Sequence, residues 1–182
     1  FTPATRLGPY KARGIASWYG RRYHGQKTAT GDTYDMYAMS AAHPTLPIPS
    51  YARVTNTSNG KSVIVRVNDR GPFVGTRVID MSRRAAEVLD FKNKGKAQVR
   101  VQLIGPAPLN DKGAHLAAMN RELQRGTPLK RMIARADGGG TRAARERAAV
   151  APLRRDDQAD ANRPRDREHR GARPSRDDAR VP

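Results

Sequence analysis

Tyr51-Ala-Arg-Val-Thr-Asn56-Thr-Ser-Asn-Gly60-Lys-Ser-Val-Ile-Val-Arg-Val-Asn68-Asp69-Arg-Gly-Pro-Phe73 is the stretch on which the fold is decided. Its two β-branched runs, 51–56 and 62–68, flank Thr57-Ser-Asn-Gly60, and Asn-Gly between such runs is the strongest short hairpin signal. Val63, Val65 and Val67 share one face of the second strand, with Ile64 and Arg66 on the other. The strand ends at Asn68-Asp69-Arg70-Gly71-Pro72, so a carboxylate is delivered at the tip of a rigid β element, a good place for a group that must be aimed.

Toward the C-terminus, Arg77 to Asp80 reads as a short strand. Asp80-Met-Ser82 offers an N-cap for a helix over 83–89, whose apolar side is Ala85, Ala86, Val88 and Leu89. Asp80 itself reads as a cap or a structural acid. From Gly95 to Ile104 the pattern alternates, with Ala97, Val99, Val101 and Leu103 inward, which predicts a half-buried closing strand. Toward the N-terminus, Gly14 to Gly20 reads as a strand in which Trp18 and Tyr19 point to opposite faces, one into the core and one toward solvent or ligand. Arg21 to Asp35 is a polar loop carrying His24 and Asp32. Tyr37 to His43 reads as a short strand running into Pro44, Pro47 and Pro49, which impose an extended path. Short strands, a single helix and Gly/Pro-rich turns make a small barrel of mainly β structure.

The chain has 182 residues, and its residue types are unevenly spread. The single Trp, all 6 Tyr and all 3 Phe fall before residue 106. A segment without aromatics buries too little apolar area to offset its ordering entropy. The reading is therefore an arm over 1–13, a domain over 14–105 and a basic low-complexity tail over 106–182, disordered but for a short helix at 115–125. Asp137 to Gly140 reads as a linker, and 142–182 as a polyampholyte. The net charge of +18 favours anionic partners, among them nucleic acid, anionic lipid and acidic wall polymers. The absence of Cys excludes disulfides, thiolate metal sites and a cysteine nucleophile.

Asp32, His43 and Asp69 lie in three separate segments, each beside turn-forming residues. Acids and imidazoles at turns are exposed and positionable, so these three are the candidate site. Asp32, His43 and Asp69 are of metal-binding type, but their spacing matches no metal-binding motif, and neither metal nor cofactor is expected. His24 reads as a surface histidine.

Taken together, Ser-Trp-Tyr-Gly, Thr-Ala-x-Gly-acid, Ala-Ala-His-x-Thr-Leu-Pro, Val-Thr-Asn-x-x-Asn-Gly, Val-Asn-Asp-Arg-Gly-Pro-Phe and Ile-Asp-Met-Ser-x-x-Ala-Ala resemble the rare lipoprotein A (RlpA) family over roughly residues 14 to 104. The resemblance implies a six-stranded double-psi β-barrel with one or two short helices. It implies an endolytic lytic transglycosylase that cleaves peptidoglycan glycan strands, preferentially peptide-stripped, to 1,6-anhydro-muramic ends. It also implies a monomer in the periplasm, or an outer-membrane lipoprotein whose signal and lipidated Cys lie outside this numbering. The family's acid, histidine and aspartate map to Asp32, His43 and Asp69. The chain departs from the family where Asn-Gly-Glu is usual and Thr30-Gly31-Asp32 stands, so that carboxylate is one methylene shorter. Nothing after Gly105 resembles the glycan-binding SPOR domain frequent in the family.

Cleaving a glycosidic bond requires protonation of the leaving oxygen while positive charge grows at the anomeric carbon. In a lytic transglycosylase the muramic C6 hydroxyl attacks its own anomeric carbon, so one group can protonate the leaving oxygen and deprotonate that hydroxyl. Asp69 is expected in this role, Asp32 as charge stabiliser or as a like-charge neighbour that tunes Asp69, and His43 as a hydrogen-bonding orienter of a carboxyl or the sugar. Trp18, Tyr19, Asn68 and Arg70 are expected to bind substrate, and the basic tail to tether the chain to anionic envelope polymers or division proteins. Two other readings are a catalytically weak glycan-binding scaffold and, disfavoured by the lack of a basic stripe with interleaved aromatics, a nucleic-acid binder.

Overall fold

The computed structural model describes residues 9–139. Six strands are formed: β1 Lys11–Tyr19, β2 Ser40–Ala42, β3 Ser50–Asn56, β4 Ser62–Asp69, β5 Arg77–Ser82 and β6 Ala97–Pro106. Among the described residues three α-helices accompany them, α1 Arg83–Val88, α2 Ala114–Gln124 and α3 Leu129–Gly139. The strands close into a barrel in the order β1-β5-β2-β4-β3-β6. β1 runs parallel to β5 and β2 parallel to β4, while the other neighbours are antiparallel. The expected mainly β, six-stranded double-psi barrel is the architecture observed.

The β3–β4 hairpin forms where its sequence demands. Gly60 takes φ 75°, open to glycine without strain, and its N–H donates to the Asn56 carbonyl at 2.9 Å. The side-chain amides of Asn56 and Asn59 both donate to the Leu89 carbonyl, at 3.0 and 3.1 Å, which ties the turn to the end of α1. That helix is capped by Ser82, whose Oγ accepts from the Ala85 N–H at 3.2 Å. Asp80 is the structural acid, receiving the Ser17 hydroxyl at 2.6 Å and pairing with Arg77 at 3.4 Å. Gly14 allows β1 to pass close to β5, since a Cβ there would meet Val78 Cγ1 at 2.3 Å.

Inside the barrel, Val63, Val65 and Val67 pack with Val54, Val99, Val101, Leu103, Ile79 and Met81, as the alternation predicts. The predicted boundaries need two corrections. Lys11 to Arg13 are not an arm but the start of β1, paired with Gln102 to Arg100 of β6. The chain also does not leave the domain at Gly105. The other face of the sheet, with Tyr51, Ile64 and Ile104, is covered by Leu116, Met119 and Met132 of α2 and α3 in a second core. The expected short helix at 115–125 is α2; α3 follows it, and the helix runs into the Gly stretch read as a linker. The two helices lack aromatics but borrow Tyr51 from the barrel, and this shared burial is what segment composition alone does not reveal. The polyampholyte reading of 142–182 lies outside the described residues.

Asn120 fastens α2 to the barrel. β2 joins β4 only from Arg66 onward, which leaves the N–H and C=O of Ile64 without a strand on that side. The Asn120 side chain supplies both partners, accepting from Ile64 N at 2.8 Å and donating to Ile64 O at 2.9 Å. Asn120→Ala would strand two backbone groups of a fully buried residue, a loss of about 1–3 kcal/mol. Denaturant unfolding should show that loss, whereas Gln124→Ala, on the exposed side of the same helix, should stay within about 0.5 kcal/mol of wild type.

Candidate active site

The loop Thr28 to Asp32 is a self-closed turn. Thr28 N–H donates to the Asp32 carbonyl at 2.9 Å, and Gly31 N–H to the Thr28 carbonyl at 2.9 Å. Two further bonds dock this turn on the end of β4. Thr30 N–H donates to the Asn68 carbonyl at 3.2 Å, and Ala29 N–H to Asp69 Oδ1 at 3.0 Å. From the other side, the His43 N–H just beyond β2 donates to the Asp69 carbonyl at 3.1 Å. The structure thus brings the segments carrying Asp32, His43 and Asp69 to one junction.

The two carboxyls experience opposite surroundings. Asp69 is half-buried, and its Oδ1 accepts from the backbone N–H groups of Ala29 and Arg70, the latter at 2.8 Å. Among the described residues no donor is directed at Oδ2. Burial raises the Asp69 pKa above the usual carboxylate value, and the two N–H bonds and the Arg70 guanidinium oppose that rise without cancelling it. For Asp32, burial would also raise the carboxyl. Hydrogen bonds from Asn68 and Thr30 and the charge of Arg66 outweigh it and hold the group below its ordinary value. Its Oδ2 receives Thr30 Oγ1 at 2.9 Å, Asn68 Nδ2 at 3.2 Å and Arg66 at 3.4 Å. The surroundings push one carboxyl pKa up and the other down, the kind of separation that acid and charge-stabilising roles require.

His43 takes part through its backbone. Its imidazole is buried, with Nδ1 accepting from the N–H groups of Thr45 at 3.1 Å and Leu46 at 3.0 Å. Because Nδ1 is an acceptor, the ring proton lies on Nε2, directed at the Tyr10 hydroxyl 3.1 Å away. Burial, helped by the nearby Arg70 charge, pulls its pKa down to about 3, so the ring stays neutral. The expected hydrogen bond from this imidazole to a carboxyl or sugar is not what the geometry provides, since both ring nitrogens already have partners.

The four residues expected to bind substrate divide. Trp18 packs against the barrel core and donates its indole N–H to the Lys92 carbonyl at 3.0 Å, so it is the core member of the Trp-Tyr pair, a correction to its expected ligand role. Tyr19 lies toward the site: burial first, and then the negative charge of Asp69, raise its hydroxyl pKa. Its ring stacks on Tyr34 at 4.3 Å and meets the edge of exposed Tyr23 at 6.0 Å. Arg70 is spent on main-chain carbonyls of His43 and Leu46, which fix the Pro-rich segment rather than present a free guanidinium. Asn68 is buried and donates to Asp32, and its Oδ1 has no partner among the described residues.

A groove of about 810 Å³ begins at Asp32, Arg66 and Asn68 and runs between α1 and α2, past Arg84 to Asn120. Asp69 and His43 do not line it. Asp35 and Arg66 are among the lining residues that the sequence pattern did not single out. Asp35 shares the loop of Asp32, and only its spacing of three from Asp32 hinted at it. Arg66 was assigned to the outer face of β4 by alternation, correctly, but that face proved to be buried. Among the described residues, no cluster of His, Asp and Glu is arranged to hold a metal ion, and no helix is long and apolar enough to cross a membrane.

The family profile described as "Lytic transglycolase" matches residues 11–101. The chain belongs to this family. The RlpA resemblance is supported by relatives named "Endolytic peptidoglycan transglycosylase RlpA". That of Neisseria meningitidis serogroup A is 59% identical over 106 residues, covering 58% of this chain and 44% of its own length. That of Pseudomonas aeruginosa strain UCBPP-PA14 is 58% identical over 106 residues, covering 58% of this chain and 31% of its own. That of Vibrio cholerae serotype O1 is 58% identical over 91 residues, covering 50% of this chain and 35% of its own. The chain therefore spans less than half the length of these relatives. The match of the lytic transglycolase profile ends within β6, so α2 and α3 lie beyond the matched span.

Neutral burial of His43 has a consequence for stability. Its folded pKa, about 3, lies below the ordinary imidazole value of 6.5, so its contribution is complete above about 6.5 and is lost as pH falls toward 3. His43→Asn keeps a short acceptor for the Thr45 and Leu46 N–H groups but cannot titrate. Thermal melts across this window should show a shallower acid-side fall for the variant than for wild type; equal slopes would assign the fall to other groups.

Proposed function

We propose that this chain is an endolytic lytic transglycosylase acting on peptidoglycan glycan strands in the cell envelope. Asp69 is its acid and base, and Asp32 is its charge-stabilising carboxylate. The observation that carries the reading is the pair of carboxyls whose surroundings push their pKa values in opposite directions at one loop–strand junction. The names of the relatives agree with it.

The chemistry follows from the open oxygen. With Oδ1 held by two N–H groups, Oδ2 carries the proton and delivers it to the leaving glycosidic oxygen. The C–O bond breaks as the muramic C6 hydroxyl attacks the anomeric carbon, and the ionised Asp69 then removes the C6 proton. No water enters and no second acid is consumed, so the carboxyl ends protonated, as it began. Asp32 faces the growing positive charge as a carboxylate whose three donors hold its orientation. The unpartnered Asn68 Oδ1 is placed to accept from a sugar hydroxyl or acetamido N–H, and Tyr19 with Tyr23 offers an aromatic face for a sugar ring. His43 acts as a positioning residue through its N–H to the Asp69 carbonyl.

The three donors at Asp32 also bear on the departure from the family's Glu. Here the short side chain is met by side chains that reach to it, so the site is built around Asp and lengthening it should not accelerate cleavage.

The test is digestion of peptide-free glycan strands with mass spectrometry of the products for 1,6-anhydro-muramic ends. Asp69→Asn keeps the acceptor for both N–H groups but cannot donate a proton, and its rate should fall by about 10²–10⁴-fold. Because the variant also removes a carboxyl whose pKa is raised by burial, it should melt no lower than wild type at neutral pH. Full cleavage by a folded Asp69→Asn protein would rule out the assignment. Glycan binding without anhydro ends in the wild type would favour the scaffold reading.

A further inference from the structure

We propose that Arg66 is a positioning residue for Asp32, aimed by the segment that follows the barrel, Pro108 to Asp111. The inference rests on the reading of Asp32 as a site carboxylate. It goes beyond that reading by making a part of the chain outside the family-matched span a component of the site.

The argument begins with burial. The Arg66 side chain is 8% exposed, on the β4 face opposite the valines of the barrel core. A guanidinium taken this far out of water must have its N–H groups satisfied, because an unpaired buried charge is costly. Two of its partners are the main-chain carbonyls of Pro108, from Nη1, and of Leu109, 3.0 Å from Nη2. The third is Asp32 Oδ2, 3.4 Å from the same Nη2. The planar fork thus spans the post-barrel segment on one side and the site carboxylate on the other. Rigid fork geometry transmits position, and a flexible ammonium cannot reproduce it.

The post-barrel segment is itself held. Tyr51 of β3 donates its hydroxyl to Asp111 Oδ2 at 2.5 Å, and Asp111 Oδ1 accepts from the Gly113 N–H at 2.9 Å, at the entry to α2. Beyond it, α2 is locked by Asn120 and by the outer core around Ile64. The chain of contacts runs from α2 through Asp111 and the Leu109 carbonyl to Arg66 and then to Asp32. A carbonyl anchor also leaves the guanidinium charge unneutralised on that side, so its full field acts on Asp32. The other charged groups that line the groove with Asp32 are Asp35 of its own loop, Arg84 of α1, Asp111 with Lys112 of the post-barrel segment, and Arg121 of α2. All of these remain in the Arg66 variants.

The test combines carbon NMR titration of the Asp32 carboxyl in the full chain with glycan-cleavage kinetics. Arg66→Met should raise the Asp32 midpoint relative to wild type. Arg66→Lys keeps a positive charge without the fork, and should lower kcat by about 10- to 100-fold with little change in KM, the signature of misplacement rather than lost binding. Tyr51→Phe keeps the buried ring but releases Asp111, and should move the Asp32 midpoint in the same direction as Arg66→Met by a smaller amount. An unchanged midpoint in Arg66→Met, or full kcat in Arg66→Lys, would overturn the role of Arg66. Wild-type titration in Tyr51→Phe would overturn the part given to the post-barrel segment. The NMR arm needs no turnover, so loss of the Asp69 assignment would leave this result standing, and the reverse holds as well.

Discussion

The two hydrogen bonds that dock the Thr28–Asp32 turn on the last residues of β4 are the constraint on which the site depends. Thr30 N–H to the Asn68 carbonyl and Ala29 N–H to the Asp69 carboxyl bind a loop with little apolar content to a strand that is buried on both faces. Such a loop has no core of its own to locate it. Its position is borrowed from β4, and β4 is located by pairing with β3 and β2 and by apolar packing on either side. The accuracy of the site is therefore a property of barrel packing passed on through backbone donors.

This arrangement also explains how two acids at one loop–strand junction meet different surroundings. Asn68 and Asp69 are consecutive on a strand and so project to different sides. Asn68 turns toward Asp32 and, with Thr30 and Arg66, surrounds it with donors, which favours the charged form. Asp69 turns where, among the described residues, its donors are two backbone N–H groups, both on one oxygen, and where burial dominates. Adjacent positions at the end of one strand thus place two carboxyls in surroundings that push their pKa values in opposite directions.

What the amino-acid sequence made legible was everything governed by local pattern. The Asn59-Gly60 turn, the alternation of Val63, Val65 and Val67, the alternating residues of β6 and the Ser82 cap all follow from rules that act within a few residues. Asp32, His43 and Asp69 were legible as candidates because each stands at a turn, but the partners that surround each side chain were not. The neutral state of His43 depends on Tyr10 and on the N–H groups of Thr45 and Leu46, partners that only the closed fold assembles. Trp18 and Tyr19 were correctly sent to opposite faces, yet which face met the core could not be read from two adjacent aromatics. Arg66 was hidden for a related reason. A polar residue on the outer face of a strand reads as solvated, and nothing local to β4 announces that the Pro108 and Leu109 carbonyls, 42 and 43 residues later, will meet it.

That late contact bears on how the site and the fold are coupled. Tyr51, Ile64 and Ile104 on the outside of the barrel would form an exposed apolar patch if the chain stopped at Pro106, and α2 with α3 would have no core if they stood alone. Each half thus removes the other's unfavourable surface, and burial of this shared face holds the helices in register. The same closure buries Arg66, and burial is what obliges its guanidinium to find the Pro108 and Leu109 carbonyls. Hydrophobic burial is non-directional, but the hydrogen bonds it forces on a buried Arg are not. A covering that arises from apolar area alone is in this way converted into a directed contact at Asp32, and the outer core gains a bearing on chemistry that none of its own residues touches.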